Sequence, residues 1–201
     1  MSFFQNTCKP VGLGGKLMVS MMNAGHAPMR DWGLQYLYIE PEDDVLDIGC
    51  GGGATVQCLL EKVPRGTVKG VDYSDVSVAK SVSVNQAAIC EGRCKIVQGN
   101  VKELPFPDES FNEATAFETI YLWPELQSSF EQVCRVLKSG GSFMICNESN
   151  GEDAEGKKWA SKIDGMSLYT AAQLEELLKN AGFSQVKTYS KKAWLCVVAV
   201  K

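Results

Sequence analysis

One segment of this 201-residue chain, residues 45–53 with the sequence VLDIGCGGG, constrains the fold more than any other. Four residues typical of a buried strand lead into a glycine-rich turn, and a helix-like run begins near Ala54. Glycine lets a backbone approach a nucleotide-like ligand closely, because a side chain would block that approach. The order of strand, glycine turn and helix therefore predicts an α/β domain that binds such a ligand.

Strand-like and helix-like runs alternate along most of the chain. The pattern predicts strands at 44–48, 67–71, 94–98, 113–117 and 142–146, and helices at about 54–63, 75–90, 124–137 and 170–181. Ser74 or Asp75 can cap the second helix, and Thr170 with Gln173 fits a capping box at the start of the last one. This alternation is typical of a doubly wound parallel sheet with helices on both faces.

Two further predicted strands, 185–189 and 193–200, are separated by a short polar turn at Lys191 and Lys192. So short a connection predicts an antiparallel hairpin, because a parallel crossover needs about a dozen residues or more. The polar stretch 147–158 is predicted to be a mobile loop near the ligand pocket. No repeat or long linker interrupts residues 41–201, which we expect to form one compact domain.

Residues 1–40 fall outside the alternation and are predicted to form a helical cap or lid. Two apolar groups support helical structure there: Leu17, Met18, Met21 and Met22 in the first, and Trp32, Leu34, Tyr36 and Leu37 in the second. Both groups are compatible with simple coverage of the sheet. The alternative is a lid over the substrate, with possible hinges at Gly12, Gly14, Gly15 and Gly25.

The composition narrows the classes of partner. A net charge of −4 and a pI near 5.2 provide no positive field toward nucleic-acid phosphates or anionic membranes. The chain has no apolar run of about 18 residues and no signal-peptide pattern, so we predict a cytoplasmic protein. Eight cysteines without a C-x-x-C pair, and a single histidine, support neither a disulfide framework nor a zinc site, and we predict no bound metal.

Polar residues at the ends of later strands extend the predicted ligand site. The glycines fit a loose dinucleotide fingerprint and do not by themselves distinguish S-adenosylmethionine from NAD. Asp72 ends the second strand about 20 residues later, where a carboxylate can accept hydrogen bonds from both ribose hydroxyls. Asn100, after the third strand, can hydrogen-bond adenine while neighbouring apolar groups cover the ring.

The ordered segments VLDIGCGGG, VDYS, QGNVKELPFPDESFN and RVLKSGGSFMI resemble the small-molecule class I S-adenosylmethionine-dependent methyltransferases. The resemblance covers about residues 40–200 and includes the methyltransferases of ubiquinone and menaquinone biosynthesis and of arsenite. It implies a Rossmann-like three-layer sandwich whose seven-stranded sheet is mostly parallel with an antiparallel C-terminal strand. S-adenosylmethionine would be the methyl donor and S-adenosylhomocysteine the product.

The resemblance also implies roles for individual residues. Asp47, Gly49 and Gly51 would surround the methionine part of the cofactor, Asp72 would hold ribose, and Asn100 and Val101 would contact adenine. Asp47 has an alternative role, in which it supports the loop by hydrogen bonds without touching the ligand. The complete predicted cofactor site consists of Asp47, Gly49, Cys50, Gly51, Asp72, Tyr73, Asn100, Val101, Phe117 and Glu118.

The methyl acceptor is predicted to be a small molecule, since the segment after the fourth strand has no Asn/Asp-Pro-Pro-Tyr element for a flipped base. The predicted acceptor pocket consists of Trp32, Tyr121, Trp123 and Trp159. His26 is the candidate general base, because its ordinary pKa lies near neutrality. A structural or orienting His26, and a reaction without any base, stay open at this point, as does the oligomeric state.

Two other functions are compatible with part of the pattern. A noncatalytic regulatory domain would keep the S-adenosylmethionine pocket without an acceptor site. An NAD-dependent oxidoreductase would use the same glycine fingerprint, but the missing second substrate domain and the predicted terminal hairpin argue against it. The methyltransferase is the function that the full set of segments favours.

Overall fold

A seven-stranded sheet forms the centre of the protein in the computed structural model, which describes residues 25–201. The strands are β1 (Asp44–Ile48), β2 (Thr67–Asp72), β3 (Cys94–Gln98), β4 (Phe111–Phe117), β5 (Leu137–Asn147), β6 (Gln185–Lys191) and β7 (Trp194–Val200). Their order is β3-β2-β1-β4-β5-β7-β6. Neighbours from β3 to β5 are parallel, whereas β7 is antiparallel to both β5 and β6. The predicted fold class is confirmed.

Helices cover both faces of this sheet. They are α1 (Ala27–Gly33), α2 (Ala54–Lys62), α3 (Asp75–Val84), α4 (Gln86–Cys90), α5 (Leu126–Val136), α6 (Ala154–Ala160) and α7 (Ala171–Asn180). On β5, Phe143 and Ile145 belong to the core formed with α5 and α7. Met144 and Cys146 belong to the opposite core, formed with α1 and α2. Alternate residues of a strand point to opposite faces, so β5 separates the two outer layers.

Both predicted helix caps are present. Ser74 accepts a hydrogen bond from the backbone of Ser77 at the start of α3, and Thr170 forms the capping box with Gln173 at the start of α7. The single helix predicted at 75–90 is instead two helices, α3 and α4, because Asn85 leaves the helical conformation. Its side-chain Nδ2 donates to the carbonyls of Gly53, at 3.1 Å, and of Ser81, at 2.9 Å. Asn85, at the break between α3 and α4, therefore connects these helices to Gly53 in the glycine turn.

The polar segment after β5 is more ordered in structure than the sequence pattern indicates. The prediction of a loop throughout 147–158 was wrong, because β5 continues to Asn147 and α6 begins at Ala154. Asp153 caps α6 by accepting a hydrogen bond from the backbone of Gly156 at 2.7 Å. The helix has seven residues and buries only Gly156, so it lacks the apolar periodicity that would reveal it in sequence.

The described part of the N-terminal region packs on the sheet. Helix α1 buries Met29 and Trp32, and a Cβ added to Gly33 would lie 2.6 Å from the Sγ of Cys146 on β5. The predicted helical face at 17–22 and the hinges at Gly12, Gly14 and Gly15 lie outside the described residues. Within residues 25–201, no helix is long and apolar enough to cross a membrane.

Candidate active site

A cavity of about 440 Å³ opens at the carboxyl ends of β1, β2 and β4. The strand order reverses between β1 and β4, which is where open α/β sheets bind ligands. The cavity wall contains most of the predicted site: His26, Gly49, Cys50, Gly51, Asp72, Tyr73, Asn100, Val101, Phe117, Glu118 and Trp123. Residues from five separate parts of the sequence are therefore brought together around one space.

The glycine turn after β1 requires glycine for two different reasons. Gly49 and Gly51 have φ angles of 74° and 51°, which other residues rarely adopt. A Cβ on Gly49 would lie 2.5 Å from Cγ2 of Thr119, so this position has no room for a side chain. A Cβ on Gly51 would approach no atom more closely than the carbonyl oxygen of Gly49, at 4.0 Å. Because Gly51 lines the cavity, its missing side chain leaves open the space that a ligand would occupy.

Asp72 joins the glycine turn to the next helix. Its Oδ2 accepts a hydrogen bond from the backbone of Gly51 at 2.9 Å, and its Oδ1 accepts one from the backbone of Ser74 at 2.9 Å. Burial raises the pKa of Asp72, although these hydrogen bonds oppose the shift. An ionised carboxylate has about four acceptor positions, so its backbone partners Gly51, Tyr73 and Ser74 leave capacity for a hydroxyl donor.

Asp47 lies outside the cavity wall. It is buried, and it accepts a hydrogen bond from Thr115 Oγ1 at 2.8 Å. Burial raises its pKa to about 7, while the charge of Arg30 lowers it. Arg30 does line the cavity, and its Nη1 donates to the carbonyl of Ala54 at 3.4 Å. Arg30 was not predicted from the sequence as a site residue. It is distant from the glycine turn in sequence, so no local pattern connects Arg30 to the turn.

Glu118 follows β4 and has a φ angle of 58°, which turns the chain sharply at the cavity. Its Oε1 accepts hydrogen bonds from the backbone of Glu148 and from the hydroxyl of Tyr121, the latter at 3.3 Å. The same hydroxyl accepts a hydrogen bond from the backbone of Ser149 at 3.2 Å. Burial raises the pKa of Glu118 to about 7, and the neighbouring His26 opposes that shift. These contacts connect the segments after β4 and β5.

His26 lines the cavity close to Glu118. Its Nδ1 lies 3.3 Å from Oε1 of Glu148, within ion-pair distance but without the geometry of a hydrogen bond. Burial lowers the pKa of His26, but the carboxylates of Glu148 and Glu118 outweigh that effect and raise it above its ordinary value. One ligand atom from each of these three residues lies within 4.8 Å of the others, a spacing that is also compatible with a metal ion. Glu148 was absent from the sequence prediction.

Comparisons with known proteins identify the chain. A family model described as a methyltransferase domain matches residues 39–194. This chain belongs to that methyltransferase family. The membership makes it an S-adenosylmethionine-dependent enzyme and decides against the NAD-dependent and noncatalytic alternatives. The narrower resemblance to the ubiquinone, menaquinone and arsenite methyltransferases stays a prediction.

Individual relatives agree with the family. The methyltransferase is 26% identical over 163 residues to YrhH of Bacillus subtilis, whose name assigns it to the methyltransferases, with 81% of each chain covered. It is 25% identical over 169 residues to 24-methylenesterol C-methyltransferase 2 of Arabidopsis thaliana. That match covers 79% of this chain but only 46% of the plant protein. A structure of an S-adenosylmethionine-dependent methyltransferase from Aquifex aeolicus has the same fold, with a TM-score of 0.77, 17% identity, and 92% and 97% of the two chains covered.

The cavity residues of this methyltransferase fit the groups that S-adenosylmethionine carries. Gly51 provides space against the backbone, Asp72 has acceptor capacity for a ribose hydroxyl, and Arg30 is a cation suited to the methionine carboxylate. Asn100 uses its Oδ1 to accept a hydrogen bond from the backbone of Lys102 at 3.0 Å. Its amide NH₂ is then the group that can donate to adenine.

The four aromatic residues predicted for the acceptor pocket are placed differently from one another. Trp123 lines the cavity and packs against Phe143. Tyr121 is buried and lies outside the cavity wall, but its hydroxyl donates a hydrogen bond to Glu118, which lines the cavity. Trp32 packs against Trp194 in the layer under α1, and Trp159 lies on α6 with Lys162 5.8 Å from its ring centre. The structure therefore brings Trp123 into the cavity wall and leaves Trp32 and Trp159 outside it.

Proposed function

We propose that this methyltransferase transfers the methyl group of S-adenosylmethionine to a small-molecule acceptor that binds beside His26, Glu118 and Trp123. The observation that carries the proposal is a single cavity that extends from Asp72 at the end of β2 to these three residues. The end near Asp72 provides backbone groups and a carboxylate that can accept hydrogen bonds from hydroxyls. The other end provides the titratable and aromatic side chains of His26, Glu118 and Trp123. Donor and acceptor can therefore share one enclosed space.

The proposed cofactor contacts follow from the chemistry of the cavity wall. Asp72 would hold the ribose hydroxyls, and Asn100 with Val101 would contact adenine. The turn from Gly49 to Gly51, with Cys50 acting through its backbone, would enclose the methionine part together with Arg30. Tyr73, Phe117 and Glu118 would complete the wall, with Glu118 facing the sulfonium. Asp47 would act indirectly, because its carboxylate supports β4 through Thr115 and lies outside the wall.

A small acceptor is favoured by the size and charge of the site. A cavity of about 440 Å³ has the dimensions of a small-molecule site. The net charge of −4 gives the chain no field toward nucleic acid or an anionic membrane. His26, Ala27 and Arg30 form part of the wall, which supports a capping role for the N-terminal region. A cytoplasmic location stays a prediction from the sequence.

Positioning is the main task of the protein in this reaction. S-adenosylmethionine supplies an electrophilic methyl group, and an in-line displacement is accelerated when the acceptor is held in a near-attack geometry. The rigid turn at Gly49 fixes one side of the reacting space, and Glu118 with Trp123 fixes the other.

A matched pair of glycine variants tests the proposal. Gly51→Ala and Gly92→Ala both place a Cβ on a residue with positive φ, and in both the Cβ meets no atom closer than 4.0 Å. Only Gly51 lines the cavity. We expect Gly51→Ala to weaken S-adenosylhomocysteine binding about 5- to 150-fold, the equivalent of about 1–3 kcal/mol of steric conflict, as measured by calorimetry.

Gly92→Ala should bind with the affinity of the unmodified chain. Tritiated methyl transfer to a library of small molecules then measures the reaction, which Gly51→Ala should slow at limiting cofactor. Equal affinities of the two variants would contradict the proposed cofactor position. Tight cofactor binding without transfer to any small molecule would contradict the proposed acceptor class.

A further inference from the structure

The acceptor end of the cavity carries an excess of carboxylates. Glu118 and Asp164 line it, and Glu148 lies 3.3 Å from His26 behind the wall. The cation in the same wall is Arg30, whose Nη2 donates to Asp31 at 2.7 Å and whose Nη1 donates to the carbonyl of Ala54. Arg30 is thus held at the glycine-turn end. A ligand at the other end meets negative charge.

That charge distribution selects among acceptor classes. A carboxylate or phenolate acceptor would be disfavoured beside Glu118 and Asp164, whereas an ammonium group would be attracted by ionised Glu118 and would itself favour that ionised form. Trp123 also lines the cavity, and an aromatic ring is a favourable neighbour for a cation. Resting on the proposed function, we infer that the acceptor is a small amine that binds in its protonated form and gives its proton to His26, with Glu148 as the residue that positions His26.

The reaction requires that proton transfer, because an ammonium nitrogen has no lone pair for attack. His26 takes one proton from the ammonium group and becomes an imidazolium ion. The nitrogen lone pair then forms a bond to the methyl carbon, and the carbon–sulfur bond breaks with its electron pair going to sulfur. The product is a methylated ammonium ion and S-adenosylhomocysteine, and His26 releases its proton to solvent.

Glu148 acts on His26 through the nitrogen that faces it. The negative charge of a carboxylate 3.3 Å from Nδ1 favours the tautomer with a proton on that nitrogen and leaves Nε2 as the basic atom. It also stabilises the imidazolium ion that forms when Nε2 accepts a proton. The position of Glu148 is itself fixed, since its backbone donates to Glu118. Glu148 is therefore a positioning residue rather than a group that touches the acceptor.

Several charged or titratable groups lie near His26 or in the same cavity wall. Glu148 follows β5, and Glu118 follows β4 with the Tyr121 hydroxyl behind it. Arg30 belongs to α1, which His26 directly precedes as the N-cap, and Asp164 follows α6 in the same cavity wall. The carboxylates Glu148 and Glu118 raise the pKa of His26 against the effect of burial. Since a base must be neutral to accept a proton, the rate should fall as the pH falls through this pKa.

The chain contains one histidine, so NMR can follow His26 without assignment by mutagenesis. We expect its Cε1 proton in the full chain to titrate above the ordinary pKa of 6.5. Glu148→Gln should lower that pKa, Glu148→Asp should keep it raised, and the matched control Glu152→Gln, an exposed acidic residue four positions away, should leave it unchanged. A pKa at or below the ordinary value in the unmodified chain, or no response to Glu148→Gln, would overturn the role of Glu148.

The acceptor class is tested with a library in which each fragment is present as an amine, an alcohol, a thiol and a carboxylate of the same shape. With tritiated S-adenosylmethionine and EDTA-treated enzyme, we expect the labelled products to be amines. In Glu148→Gln, kcat should fall about 10-fold or more and the acidic limb of the pH profile should move to lower pH. Labelled products confined to the other classes, or a requirement for added Mn²⁺ or Zn²⁺, would overturn the inference.

Calorimetry with S-adenosylhomocysteine separates this inference from the proposed function. Normal binding with methylated alcohols or thiols would reject the amine acceptor and retain the proposed function. Failure of the folded chain to bind S-adenosylhomocysteine would reject both.

Discussion

The two ends of the cavity are built in different ways. The cofactor end consists largely of backbone: three turns of chain at Gly49, Asp72 and Asn100 that follow consecutive parallel strands. The acceptor end consists of side chains from α1, the segment after β4 and the segment after β5, with His26, Glu118 and Glu148 as their meeting point. The first end has a geometry fixed by the sheet, whereas the second depends on contacts between distant segments.

Under the proposed function, the two ends of the cavity would have different tasks. The backbone turns would recognise the cofactor, and we expect substitutions there to disturb folding or cofactor affinity. Side chains at the acceptor end would set the charge and protonation of the substrate, and we expect substitutions there to alter catalysis. Each end can therefore be perturbed without the other.

The largest effect is expected from His26→Ala. Removal of the base should lower kcat about 100- to 10,000-fold, the usual contribution of general base catalysis. Steady-state kinetics with saturating cofactor measures the loss, and added imidazole should restore part of the rate. A fall of less than about twofold would remove His26 from the chemistry and make the acceptor end a purely structural region.

Gly49→Ala tests the rigidity of the cofactor end. The substitution combines a positive φ with a Cβ 2.5 Å from Thr119, and we expect a loss of about 2–4 kcal/mol in the free energy of unfolding. Gly92→Ala has a similar φ and open space, and it should lose about 1–2 kcal/mol from backbone strain alone. Urea denaturation compares the two, and equal losses would show that contact with Thr119 does not constrain the turn.

A smaller effect is expected from Tyr121→Phe at the acceptor end. The change removes the hydroxyl that accepts from the backbone of Ser149 and donates to Glu118, and it leaves a buried N–H without its partner. The free energy of unfolding should fall by roughly 1–2 kcal/mol. Tyr38→Phe, at a side chain that is 77% exposed, should change it by less than about 0.5 kcal/mol. Equal stabilities of the two variants would mean that this network contributes nothing measurable.

The cofactor end was readable from the sequence because its residues follow strands directly. The strand predicted at 44–48 is β1 with the same bounds, and the residues at the ends of β2 and β3 could be assigned to one edge of the sheet. Parallel strands place their carboxyl ends together, so local patterns were sufficient there. The family resemblance then added the identity of the cofactor.

The acceptor end could not be read in this way. Glu148 lies in a polar segment that gave no pattern, and its contact with His26 spans most of the chain. The same segment contains α6, which forms through the cap at Asp153 and not through an apolar face. Trp32 and Trp159 were predicted to line the acceptor pocket but lie outside the cavity wall. The sequence shows that a residue is aromatic, but it does not show which layer of the fold the side chain packs in. Contacts of this kind depend on tertiary packing.

Calorimetric titration of S-adenosylhomocysteine into two variants tests the division of the cavity most directly. Asp72→Ala removes the carboxylate at the cofactor end and should weaken binding about 5- to 150-fold, or about 1–3 kcal/mol for unsatisfied polar partners. His26→Ala, at the other end, should bind S-adenosylhomocysteine within about twofold of the unmodified chain, because in the proposed site the carboxylate, and not the imidazole, would hold the ribose. Equal loss of affinity in both variants, or a greater loss in His26→Ala, would contradict the separation of a cofactor end from an acceptor end.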